Sequence, residues 1–215
     1  MQEMAGRRQR RGKVFVIGRN KTGTSSMRLA LRGLGYRIGV QRVAEQFLND
    51  WAHRRFRRLV QYCKTADAFQ DVPFSLDYTY TVLDYAFPKS KFILTVRKDA
   101  AEWYESLVRF HTKAIGKGRV PTADDLRRYK YHDMYQYLWR AARFIYGADE
   151  NSVYDREKYM RHYDQHNERV REYFRRRPGD LLVLNLSDPD AMKSLCEFLG
   201  VEYDGRPMPH VNASA

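Results

Sequence analysis

At 215 residues the chain is long enough to bury a core of its own, and its 43% hydrophobic content is near the globular average. Lys and Arg number 39 against 26 Asp and Glu, giving a net charge of +13; this suits either a polyanionic ligand or solvated arginine on helix faces. No apolar run approaches the ~18 residues of a membrane span. Cys63 and Cys196 lack metal or disulfide spacing, which fits a reducing compartment and a cytoplasmic location. Without zinc-finger or RNP-type motifs, no nucleic-acid partner is expected. Met1 to Gly12 is basic, polar and free of an apolar core, so it reads as a disordered arm rather than a secretory signal. Residues 13–215 read as a single domain.

The first element is the apolar run Val14 to Ile17, a strand buried on both faces. Gly18 ends it. The polar loop Arg19 to Ser25 follows, then a helix with Ser25 or Ser26 as N-cap and Met27, Leu31 and Leu34 on one face. Strand, glycine-containing loop and helix start make a phosphate cradle, because loop N–H groups and the open helix end favour an anion at one spot. Lys21 adds charge, and Thr22, Thr24 and Ser25 add hydroxyls. The plainer alternative is a tight turn that happens to hold a lysine.

Tyr36 to Ile38 reads as a short second strand, Val43 to Tyr62 as a helix, and Ala66 to Gln70 as a third strand closed by Asp71-Val72-Pro73. Leu76 to Phe87 is an aromatic helix. Lys91 to Val96, KFILTV, is the clearest central strand and runs into Arg97. A helix from Ala100 to His111 turns Trp103, Leu107 and Phe110 inward. Residues 111–121 read as a mobile loop. Thr122 to Tyr146 and Asp155 to Arg176 read as long helices, forming a helical insertion over about 122–177. Leu181 to Leu186 is a further strand, and Ser187 to Leu199 a helix. His162 and His166 are four apart and read as a solvated helix face. Alternating strands and helices predict an α/β fold, a parallel sheet of about five strands flanked by helices. In such a sheet the ligand lies beyond the carboxyl ends of the strands, where Lys21, Asp71 and Arg97 should meet.

The loop reads G-R-N-K-T-G-T-S, with its lysine two residues before Gly23. A nucleotide triphosphatase loop places it after the second glycine. The order K-[ST]-G-T-[ST] after a first strand resembles the 5′-phosphosulfate loop of sulfotransferases. V-R-x-x-x-x-W-Y-x-S after a strand is similar to that family's 3′-phosphate segment, and L-x-x-F-L-G-V followed by P-H-V-N resembles its C-terminal part. The likeness spans about Val14 to Asn212 and implies a P-loop-like fold. It implies 3′-phosphoadenosine 5′-phosphosulfate (PAPS) as co-substrate, PAP as product and no metal.

On that likeness Asn20, Lys21, Thr22, Gly23, Thr24, Ser25, Arg97 and Ser106 bind the nucleotide, and Lys21 neutralises the leaving oxygen. Asp71 stands where other members carry the base. His210 and Asn212 become candidate contacts to cofactor or acceptor. The acceptor is a small molecule or glycan with a hydroxyl or amine. Two residue-level alternatives stay open: Asp71 as a turn or cap residue, and Arg97 as an ion-pair partner of Asp99 or Glu102. A rival function is a small-molecule kinase or other nucleotide-phosphate enzyme with a variant loop, in which Asp71 holds magnesium.

Overall fold

The computed structural model describes residues 12–211. Asn212 and all of the expected basic arm except Gly12 lie outside that range. In chain order the elements are β1 (Val14–Val16), α1 (Thr24–Gly33), α2 (Gln41–Ala44), α3 (Leu48–Ala52), α4 (Arg57–Tyr62), β2 (Ala68–Phe69), α5 (Thr79–Ala86), β3 (Lys91–Val96), α6 (Ala100–Ala114), α7 (Ala123–Arg128), α8 (Tyr137–Tyr146), α9 (Arg156–Phe174), β4 (Leu181–Asn185) and α10 (Ala191–Leu199). The four strands form one parallel sheet in the order β2-β1-β3-β4. The expected fifth strand, Tyr36 to Ile38, is reduced to a single bridge from Ile38 to Ala68.

Period-two alternation sorts the strands' side chains into two cores. Val14, Val16, Ile93 and Leu184 pack on one face with Met27 and Leu31 of α1 and Met192 and Leu195 of α10. Phe15, Ile17, Phe92 and Leu94 pack on the other with Phe69, Phe74, Leu83, Val170 and Phe174. Burying each such side chain stabilises the fold by roughly 1.5–3 kcal/mol. A third cluster joins α6 to α7, α8 and α9 through Trp103, Leu107, Leu126, Trp139, Tyr159 and Tyr163. No described helix is long and apolar enough to cross a membrane.

Two predicted helices are broken. The Val43 to Tyr62 stretch contains α2, a 3-10 turn over Glu45–Phe47, α3 and α4. Its main break is at Arg54, which has a φ of 58° and lies in a run of like charges (Arg54, Arg55, Arg57 and Arg58) that disfavours helix. The Thr122 to Tyr146 stretch breaks between α7 and α8. There Tyr131 and Met134 bond each other's backbones across His132 (φ 46°) and Asp133 (φ 68°). Positive φ at both central residues is a hairpin turn normally signalled by Asn or Gly, so the pattern gave no warning.

The carboxyl ends of β2, β1 and β3 lie side by side. The residues that follow them are Asp71, the Gly18–Gly23 loop and Arg97. The site is therefore positioned by strand order.

Candidate active site

Gly18 allows the loop to lie against β3, since a methyl group there would collide with the Thr95 carbonyl. Arg19 turns back into the protein and is only 1% exposed. It donates to the Ser75 carbonyl at 2.9 Å and Asp77 Oδ1 at 3.0 Å, and lies 3.0 Å from His162 Nδ1. Asp77 also accepts from Arg169 at 3.1 Å and lies 2.9 Å from His166 Nδ1. His166 Nε2 is 2.8 Å from the Ile17 carbonyl, and the ring is fully buried. The two histidines thus do not form a solvated face. A buried guanidinium needs a counter-charge and a filled hydrogen-bond shell, and this face of α9 supplies part of it.

The loop's carbonyls are held from outside. The Thr22 hydroxyl donates to the Arg19 carbonyl at 2.5 Å and meets Thr95 Oγ1 at 2.6 Å, so its proton is spent inside the loop. Trp103 Nε1 donates to the Asn20 carbonyl, and Arg97 Nε to the Lys21 carbonyl, each at 2.9 Å. Helix α1 starts at Thr24 with Gly23 as N-cap, φ 96°, and no side-chain cap. Neither Ser25 nor Ser26 is the cap. The left-handed glycine turns the chain into the helix earlier, and Leu186 sits 2.6 Å from where its Cβ would be. The first-turn N–H groups of Thr24, Ser25 and Ser26 therefore face the loop without a capping side chain, and the helix dipole favours an anion there.

Lys21 has a φ of 66°. Its ammonium lies 3.6 Å from the centre of the Phe110 ring. Phe110, expected inward, is 46% exposed and forms a wall beside the lysine. Burial, then the charges of Arg97 and Arg109, hold the Lys21 amine below its usual value, against the pull of Asp71. His111 is pushed down to about 4 by burial and by Lys21.

Asp71 is also left-handed, φ 63°. Strain of this kind concentrates at functional sites. Asp71 Oδ1 accepts from the Val72 N–H at 2.9 Å, and Oδ2 from the Thr24 hydroxyl at 3.2 Å. Burial raises its carboxyl above the usual range; these two bonds and Lys21 offset part of that. Glu45, which the sequence did not single out, belongs to the same neighbourhood. It is 5% exposed, accepts from the Tyr131 hydroxyl at 2.9 Å, and has no partner for Oε2. Burial raises it to about 7; the Tyr131 bond opposes this and the Asp71 charge adds to it.

Arg97 makes one of the ion pairs weighed from the sequence and adds a loop contact. Its Nε holds the Lys21 carbonyl, while its guanidinium also pairs with Glu102 at 3.1 Å. Asp99 instead caps α6, accepting from the Glu102 N–H. Ser106 is buried on α6, one turn from Trp103. The tail crosses the first turn of α1, where the Val211 N–H donates to Ser26 Oγ at 3.1 Å; the neighbouring His210 is exposed. Thr24 thus bonds Asp71, Arg97 bonds the Lys21 carbonyl, and Lys21 and Asp71 act on each other through charge, whereas no described bond joins Ser106 or His210 to them.

Sequence reasoning missed Arg19, Glu45 and Trp103 as site-builders. Glu45 carried one faint signal, a carboxylate among apolar Ala44, Phe47 and Leu48. For Arg19 there was none beyond its place after Gly18. No curated protein sequence matches the chain directly. A family description, sulfotransferase domain, matches residues 13–215, which take in the loop, Asp71, Arg97 and the described tail. A parallel sheet whose first strand feeds a lysine-bearing glycine loop agrees with that match, and the chain belongs to this sulfotransferase domain family, whose activity is sulfuryl transfer.

Proposed function

We propose that the chain transfers the sulfuryl group of PAPS to a hydroxyl or amine of an acceptor and releases PAP. One observation carries this reading: the Arg97 guanidinium and the Lys21 loop are joined by a 2.9 Å hydrogen bond at the ends of adjacent strands. One nucleotide with phosphates at both ends can then span them. The loop fits the 5′ group, because the left-handed Gly23, packed against Leu186, leaves the first turn of α1 without a capping side chain.

In this reading the N–H groups of Asn20, Lys21, Gly23, Thr24 and Ser25, with the Ser25 hydroxyl, hold the 5′-phosphosulfate. Thr22 holds the loop's shape, and the Thr24 hydroxyl holds Asp71, instead of donating to the ligand. Arg97, with Ser106 behind it, takes the 3′-phosphate. PAPS supplies an activated sulfuryl group on a good leaving phosphate. Lys21 neutralises charge growing on the bridging oxygen, an interaction strongest in the transition state. Asp71 receives the acceptor's proton. Its raised carboxyl brings it nearer to the working range of a general base.

The test is calorimetric titration of the chain with PAP in EDTA, beside ATP with magnesium, followed by transfer of radiolabelled sulfate from PAPS. Metal-free PAP binding, with transfer abolished in Lys21→Ala, is expected. Binding of ATP with magnesium and not of PAP would favour a kinase and overturn the proposal.

A further inference from the structure

Near Asp71 lies a group of polar side chains that the donor reading leaves unused. Glu45 is 5% exposed and Tyr137 4% exposed. Glu45 Oε2 and the Tyr137 hydroxyl are both buried without a hydrogen-bond partner. The Tyr131 and Tyr137 rings stack at 5.0 Å and 11°, and Tyr131 spends its hydroxyl on Glu45 Oε1. Gln41 donates to the Val72 carbonyl at 2.7 Å, which ties α2 to the residue after Asp71. Leu48, Trp51, Leu76 and Tyr137 then close the floor as one apolar cluster.

Buried polar atoms in native proteins are nearly always satisfied, and an orphan costs about 1–3 kcal/mol. Two orphans beside a candidate base, on an aromatic platform, are what a bound polar molecule would complete. The sign of the charge narrows the class. Asp71 acts on Glu45, Tyr131 and Tyr137, so the carboxylates share one neighbourhood. Of the nearby cations, Arg42 acts on Glu45 but is paired with Asp133, and Arg140, whose Nε is also buried without a partner, acts on Tyr137 from its own helix, one cation against two carboxyls. The remaining cations belong to the donor loop, where Arg97 bonds the Lys21 carbonyl and, with Arg109, acts on the Lys21 amine.

We infer that Glu45 Oε2, the Tyr137 hydroxyl and Asp71 form the acceptor subsite, and that it takes an uncharged or cationic molecule bearing hydroxyl or amine groups, not an anionic one. The inference rests on the transfer reading above. The acceptor's O–H or N–H donates to the carboxylates while its ring or chain lies on the tyrosine pair. Its oxygen or nitrogen forms the new bond to sulfur. The bond from sulfur to the bridging oxygen breaks, its electron pair leaves with PAP, and the acceptor proton passes to Asp71. The chain's overall charge of +13 therefore serves the donor and not the acceptor.

The test uses the full chain and radiolabelled PAPS with size-matched acceptors: glucose, glucosamine and glucuronate, then tyramine and 4-hydroxyphenylacetate. PAP binding is measured separately. We expect kcat/KM for the uncharged and cationic members to exceed that of the carboxylates by about tenfold or more, since an anion beside Asp71 and Glu45 is repelled. Glu45→Gln should shrink that ratio about fivefold, and Tyr137→Phe should raise the acceptor KM several-fold; both should leave PAP affinity within about twofold. If PAP binds but a carboxylate acceptor is preferred, or no uncharged or cationic member is sulfated, the acceptor inference is overturned while the donor reading stands. If PAP does not bind, the donor reading fails first. Should Glu45→Gln fail to fold, the wild-type panel and Tyr137→Phe decide the question.

Discussion

Behind the loop, Asp77 is surrounded by Arg19, Arg169 and His166; in front of it, Asp71 accepts from two neutral donors, the Val72 N–H and the Thr24 hydroxyl, and Glu45 keeps an unpartnered oxygen. Burial pushes all three carboxyls up. At Asp77 the His166 bond and the Arg19 charge outweigh burial, and the carboxyl is held far below its usual range. At Asp71 and Glu45 they do not, and both are raised. A carboxylate that is saturated with donors is a clamp, with no capacity left for chemistry. One that is under-satisfied costs stability and keeps an affinity for a proton, which is the property a base needs.

The largest effect should come from breaking the clamp. Asp77→Ala strands Arg19 as a buried, uncompensated charge, at a cost of about 3–5 kcal/mol in urea unfolding. A loss below about 1 kcal/mol would show that Arg19 finds another partner and that the two regions differ less than their contacts imply. Next is Lys21→Ala, in front. It should leave the urea midpoint nearly unchanged while kcat falls by about 10²–10³-fold, the scale for one transition-state donor. An equal loss in PAP affinity with kcat intact would make Lys21 a binding residue only.

Glu45→Gln sharpens the comparison through pH. A carboxyl raised to about 7 in the folded chain, from ~4.3 unfolded, keeps its proton longer when folded. Its contribution is whole below the unfolded value and is lost as pH rises through 7. Wild-type stability should therefore fall relative to Glu45→Gln between pH 5 and 8, by up to about 3 kcal/mol. Thermal melts across that range check it; parallel curves for the two proteins would remove the raised carboxyl from the account. The smallest effect is Trp103→Phe. It loses the bond to the Asn20 carbonyl and should weaken PAP binding by about fivefold, in line with ~1 kcal/mol for one hydrogen bond.

Three strands were legible from their own apolar runs, while the expected Ala66 to Gln70 strand is limited to Ala68–Phe69. KFILTV runs from Lys91 to Val96 as predicted, and β1 and β4 fall within one residue of their apolar runs. The Tyr36 to Ile38 strand was not formed, since only Ile38 finds a partner. Lys21, Asp71 and Arg97 were placed together by a rule about strand ends, and the adjacency of β2, β1 and β3 does bring them there. Phe110 was misassigned because it sits at helical spacing from Leu107; the ammonium of Lys21 offers its ring a second favourable environment.

The amino-acid order alone determined three of the strands, the glycine-and-lysine loop after the first, and the strand ends at which Lys21, Asp71 and Arg97 gather. Each of these is encoded within about ten residues, by alternation, by glycine placement and by one lysine. Tertiary structure alone decided which carboxylates are clamps and which are under-satisfied, and why Arg19 is buried. Those outcomes depend on partners such as His162 and His166, which meet Arg19 and Ile17 from 143 and 149 residues away. A side chain's charge is written in the sequence, but its loss of water and its set of donors exist only once distant segments have packed.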